Sequence, residues 1–120
     1  MLRKHVSNDI PDWLNMIAIG KKTYEGRLAS KIQEWDLYIG KQMIFFDGKG
    51  LEVTVEVTSL LRFKNFGDAF ENLGHKLIPI RGTTIQSAIQ IYRDVPYTDE
   101  EVAQKGVVAI GVKVIKVENI

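Results

Sequence analysis

"MIFFDGKGLEVTVEVTSLLRF" spans residues 43–63. An apolar run meets an Asp-Gly turn and then alternates strictly. Leu51, Val53, Val55 and Val57 point one way, and Glu52, Thr54, Glu56 and Thr58 point the other. Successive side chains on a strand face opposite sides, so this stretch predicts an antiparallel hairpin in a sheet with one buried and one wet face. The rest of the chain must then supply partners for that sheet and cover its apolar side.

Downstream, three short helical patterns follow. "NFGDAFENLG" has Asn65 as its cap, Phe66, Ala69, Phe70 and Leu73 on one stripe, and Gly74 beyond it. "TTIQSAIQIYRDV" places Ile85, Ala88, Ile89 and Tyr92 together, with Thr83 and Gln86 at capping-box spacing. "TDEEVAQKG" repeats the device with Thr98 and Glu101, closed by Gly106, and "VVAIGVKVIKV" reads as a final strand. Upstream, "SNDIPDWLNMIAIG" reads as a helix with cap candidates Ser7, Asn8 and Asp9, Pro11 in its first turn and Gly20 at its end. "TYEGRL" follows as a short strand, and a helical turn lies between residues 30 and 42. Residues 1–8 read as a polar, frayed lead-in. Runs of strands with clustered helices argue for an α+β fold, a small mixed β-barrel with short flanking helices, rather than a parallel α/β sheet.

The 120 residues suit a single domain. Residues 1–64 carry ten Lys/Arg against eight Asp/Glu, and residues 65–120 carry six against seven, so any nucleic-acid surface must be a local patch. There is no cysteine, which excludes disulfides, thiolate metal sites and cysteine nucleophiles. No apolar run approaches membrane-spanning length and the N-terminus lacks an apolar leader core, so the expectation is an intracellular, cytoplasmic chain without a membrane partner. His5 and His75 are isolated, so no metal site is expected. "DGKG" is turn chemistry without a surrounding phosphate-binding loop, and no cofactor motif is present.

The stretch that concentrates charge is "GKKTYEGRL", residues 20–28. On a strand, Thr23, Glu25 and Arg27 share one face, while Tyr24, Gly26 and Leu28 share the other. Lys21 and Lys22 sit just past the helix end, where cations are mildly favoured. Spacing leaves two readings open. The charges pair with one another at a surface corner, or they form a site. In the second case arginine would grip phosphate or a carbonyl edge and glutamate would accept from an exocyclic amine. Arg62 and Lys64 flank Phe63, a basic–aromatic–basic run able to stack a base; the alternative is a core phenylalanine between solvated charges.

These residues carry a resemblance. Gly20, Lys22, Glu25 and Arg27 form a GxKxxExR pattern similar to that of the ASCH domain family, whose fold is PUA-like. "DWLNMIAIGKKTYEGRL", "LYIGKQMIFFDG", "VEVTSLLRFKNFGDAFENLG" and "YTDEEVAQKGVVAIGVKVI" resemble successive blocks of that family, in order, over residues 9–117. The resemblance implies a PUA-like β-barrel with a ligand cleft that binds RNA, a nucleoside or a nucleotide. Lys22, Glu25 and Arg27 would line it, with Lys21, Arg62 and Lys64 touching backbone. Some relatives are amidohydrolases acting on N4-acetylcytidine, and others are ribonucleases. An enzyme here would use Lys22 and Glu25. The amidohydrolases have a threonine where this chain has Glu25, and Thr23 and Glu71 are the nearest stand-ins for the hydroxyl and the later acid. Binding of a protein partner through the helices is a further expectation of a PUA-like domain.

Overall fold

A computed structural model describes residues 1–120. In chain order the elements are β1 (Leu2–His5), α1 (Trp13–Ala18), β2 (Tyr24–Leu28), α2 (Lys31–Glu34), β3 (Gln42–Phe46), β4 (Leu51–Phe63), α3 (Phe66–Leu73), a 3-10 turn (Gly74–Lys76), α4 (Ile85–Arg93), α5 (Asp99–Lys105) and β5 (Val107–Asn119). One five-stranded mixed sheet runs β1-β3-β4-β5-β2. The hairpin read from the sequence is β3–β4, with Met43 opposite Val55 and Phe45 opposite Val53. Its turn is closed by the Asp47 carboxylate, which accepts from the backbone N–H groups of Lys49 (2.7 Å) and Leu51 (3.1 Å). Those bonds hold the Asp47 carboxyl below its usual range despite the opposing effect of desolvation.

The alternation works as expected. Val53, Val55 and Val57 are fully buried, while Glu52, Thr54 and Glu56 on the other face are half-buried. A buried valine contributes about 1.5–3 kcal/mol relative to an exposed one, so the pattern fixes the register: a one-residue slip would expose all three. Alternate residues of β5 feed two cores. Val108, Ile110 and Val112 join the β3–β4 valines, Leu14 and Ile17 of α1, and Trp35. Val107 joins Phe66, Ala69, Ala88 and Tyr92 from α3 and α4.

The α+β reading with a mixed sheet and short helices holds, but the barrel does not close. β1 and β2 are the two edges of the sheet, and no ladder joins them. Residues 1–8, expected to fray, instead hold β1, which pairs in parallel with β3 from Leu2↔Met43 to His5↔Phe46. A polar strand at an edge carries little hydrophobic signal, and its parallel partner lies some forty residues away.

Two helix starts also differ from expectation. α1 begins at Trp13, not near Ser7, because the residue before Pro11 is driven away from helical geometry. The upstream loop still serves that helix from outside: Leu14 N–H donates to the Ser7 carbonyl (3.2 Å) and Asn15 N–H to Asn8 Oδ1 (2.9 Å). At α4 the capping box is Thr84 and Ser87, one residue beyond the expected pair. The Thr83 hydroxyl donates back to the Ile80 carbonyl (2.7 Å) and so belongs to the loop. The caps at Asn65 and at Thr98 with Glu101 are as expected. No helix is long and apolar enough to cross a membrane.

Candidate functional site

The two open sheet edges face each other, and the candidate site lies in the seam. From β2, the Arg27 guanidinium donates to the His5 carbonyl at the end of β1 (3.1 Å), a side-chain bridge where a closed barrel would have a ladder. Beside this bridge is a cavity of about 580 Å³, inside the range of about 300–1,000 Å³ usual for small-molecule sites. One wall is the loop leading into α1, including Ser7, Ile10 and Trp13; the other is the end of α4 and the loop after it, including Tyr92, Asp94 and Tyr97.

Lys22, Glu25 and Arg27 line it together. Gly20, at φ +79°, turns the chain out of α1, and the Lys22 N–H returns to the Met16 carbonyl (3.0 Å), which aims the Lys22 side chain inward. That side chain is 2% exposed. Its Nζ donates to the Leu77 carbonyl, lies 3.7 Å from Glu25 Oε1, and sits 5.3 Å from the centre of the Trp13 ring. The other Glu25 oxygen accepts from Arg27 Nη2 at 3.2 Å, and the guanidinium is 5.3 Å from the Trp35 ring. One buried carboxylate is thus shared by two cations.

Burial pushes the Lys22 amine below its ordinary value, and the Arg27 charge adds to this while Glu25 opposes it. For Arg27, burial is the largest single effect and acts downward, but the Glu25 charge and hydrogen bond together with Tyr97 and Tyr92 outweigh it, so the guanidinium is held more firmly charged. Burial raises the Tyr92 hydroxyl well above 10, reinforced by the Glu25 charge; the Tyr97 hydroxyl is raised too, with Arg27 opposing. Both phenols are therefore donors in this cavity at neutral pH.

Glu25 and Arg27 do share a strand face and do pair, as expected. The face is not a wet one, however, since Glu25 is buried. Of the other anticipated residues, Lys21 is exposed and outside the cavity lining, as are Arg62 and Lys64 at the end of β4. Arg62 and Arg27 both stand opposite Val108 across β5, yet Arg62 points to solvent. Glu71 and His75 are exposed as well, and Thr23 is not part of the lining. Sequence reasoning did not assign Trp13, Tyr92 or Tyr97 to the site. All three fit apolar helix or loop patterns, and only the folded chain brings them to β2.

Gly26 shows how tightly the floor is built. A Cβ there would lie 2.6 Å from the Tyr92 hydroxyl oxygen. Tyr92 cannot swing aside freely, because its ring stacks on Phe66 at 3.8 Å and 8°. Gly26→Ala is expected to lower folding stability by about 1–3 kcal/mol, the usual cost of overpacking, measured by urea unfolding. The paired variant Gly26→Ala with Tyr92→Phe should recover part of the loss; no recovery would mean that the contact is not what limits this position.

No family model matches the sequence, and no curated protein does. Solved structures share the fold. Hypothetical protein PH0355 is 26% identical with a TM-score of 0.80, over 95% of this chain and 98% of its own. Protein PF0455 from Pyrococcus furiosus is 26% identical with a TM-score of 0.74, over 96% and 97% of the two chains. Protein EF3133 from Enterococcus faecalis V583, of family DUF984, is 14% identical with a TM-score of 0.68; the match spans 98% of this chain and 78% of that one, and shows the fold alone.

Proposed function

We propose that this chain is an ASCH-type, PUA-like module that binds RNA or a modified nucleoside, taking a base into the seam cavity. The observation that carries this reading is the Lys22–Glu25–Arg27 line, its lysine and carboxylate buried, on the floor of an aromatic-walled cavity. A carboxylate accepts from the exocyclic amine and ring N–H of a base, aromatic walls supply stacking surface, and the two phenols can donate to base carbonyls. The Arg27 bridge between β2 and β1 supports the architectural part of the reading, since it spans the gap that a PUA-like barrel would close.

The test is to follow backbone and Trp13 indole N–H shifts while titrating cytidine, N4-acetylcytidine and a short single-stranded RNA at low salt. Shifts at residues 22–27, Trp13 and Tyr97 are expected, with Arg27→Ala weakening binding at least tenfold and Arg62→Ala leaving it unchanged. Shifts confined to residues 62–64 would sink the assignment.

One observation favours a second reading, hydrolysis of an acylated nucleoside or of RNA. The Lys22 amine, held toward its neutral form and adjacent to Glu25, has the makings of a general base. Release of acetate from N4-acetylcytidine, abolished in Lys22→Ala protein that remains folded, would identify this activity; binding without turnover leaves the module a reader.

A further inference from the structure

The charge around the cavity is arranged so that its cations lie on the floor against Glu25, with side chains 2% (Lys22) and 19% (Arg27) exposed. Its ionic lining consists of two cations, Lys22 and Arg27, and two carboxylates, Glu25 and Asp94, with His5 as the remaining titratable base. Both cations already have partners, Arg27 through its Nη2. Lys22 is on Glu25 and the Leu77 carbonyl, and Arg27 is on Glu25 and the His5 carbonyl. Asp94 is the opposite case. It is exposed at the mouth, its side chain accepts only from Gln90 Nε2 (2.8 Å), and no cation pairs with it. The neighbouring cation, Arg93, turns away to Asp99 (3.0 Å). Asp94 also caps the C-terminal end of α4, where the last carbonyls place a further partial negative charge. The rest of the rim mixes hydrocarbon (Ile10 99% and Val95 56% exposed) with the exposed Ser7 and with His5, whose Nε2 lies 3.3 Å from the Asp47 carbonyl.

A phosphate approaching this mouth meets the unpaired Asp94 carboxylate and a helix carbonyl end first, and reaches a cation only at Arg27, already paired with Glu25 on the floor. We infer that the cavity selects an uncharged ligand, a nucleoside or free base rather than its phosphate ester, and that Asp94 is the specificity residue that turns phosphate away. This rests on the nucleoside reading above and narrows it: phosphates of an RNA strand would have to stay outside the mouth. Two unit charges about 7 Å apart near a protein surface repel enough for roughly a tenfold effect on affinity, and the effect fades with salt.

The experiment compares cytidine, cytidine 5′-monophosphate and inorganic phosphate on the wild type, Asp94→Asn and Asp94→Lys, by calorimetry and amide shifts at 20 mM and 500 mM salt. Expected in the wild type is an affinity for cytidine about tenfold above that for the monophosphate, with phosphate leaving the Trp13 and Tyr97 amides unmoved. Asp94→Asn should shrink the ratio and Asp94→Lys should remove or invert it, at low salt only. A wild type that prefers the monophosphate, or a ratio indifferent to Asp94→Lys, overturns the inference. Should cytidine fail to bind, the nucleoside reading falls, while the phosphate arm still decides the gate. Phosphate admitted by Asp94→Lys and refused by the wild type upholds it, and phosphate treated alike by both refutes it.

Discussion

Replacing Glu25 by alanine is expected to destabilise the fold by about 3–5 kcal/mol, the usual cost of removing one partner from a buried ionic group. The carboxylate is shared between Lys22, whose side chain is 2% exposed, and Arg27, whose side chain is 19% exposed. Without it two cations face each other in the same poorly solvated seam. Arginine does not give up its proton in a protein, so the strain falls on Lys22, which relieves it by losing one. The deficit should therefore be greater at pH 7 than at pH 9.5 in urea unfolding. Glu25→Gln keeps the volume and one acceptor, and should recover only the packing part. Glu52→Ala is the control: Glu52 pairs with Arg3 at the surface (2.6 Å), where an ion pair contributes little. Equal, small losses at Glu25 and Glu52 would show the Glu25 cluster to be solvated in solution and the floor of the cavity to be open.

How far these features could be read without coordinates differs from element to element. The β3–β4 hairpin was legible because its signal is local: the Asp47–Gly48 turn and four alternating apolar residues need no knowledge of the remaining chain. The caps of α3 and α5 were legible for the same reason. β1 was not, since "LRKH" is polar and acquires strand character only from a parallel partner far along the chain. The site divides the same way. Lys22, Glu25 and Arg27 are close in sequence and their spacing on a strand brings them together. That they are buried does not follow from spacing, because a charged strand face looks solvated until the walls are placed over it. Those walls come from Trp13, ten or so residues upstream, and from Tyr92 and Tyr97, about seventy downstream. Arg62 and Lys64 mislead for the converse reason. A basic–aromatic–basic run resembles a reader wherever it occurs, but the strand end here carries both charges into solvent.

Lys22→Met should separate stability from function. At pH 7 the amine is a burden to the fold: taking it out of water is costly, and Glu25 already has Arg27 as a partner. Methionine keeps the length and the contact over Trp13 but leaves the Leu77 carbonyl without its donor. The expected net change runs from near zero to about 3 kcal/mol of stabilisation, alongside at least a tenfold loss of ligand affinity. The pH dependence gives an independent reading. The folded Lys22 binds its proton less tightly than the ordinary lysine value of 10.5, which the unfolded chain retains. Between that lowered value and 10.5 the unfolded state holds more protons, so wild-type stability rises with pH across the window, and the charge penalty is fully present below it. Tyr92 acts with the opposite sign at the upper end. Its hydroxyl is raised well above 10, so the unfolded state loses that proton first and stability falls as pH climbs past about 10. Measured below that limit, the difference in unfolding free energy between wild type and Lys22→Met should close steadily as pH rises. A gap that stays constant with pH would mean that Lys22 remains charged in the fold. A variant that is less stable by more than about 2 kcal/mol would make Lys22 an anchor for the Leu77 carbonyl and remove the case that its burial serves a ligand.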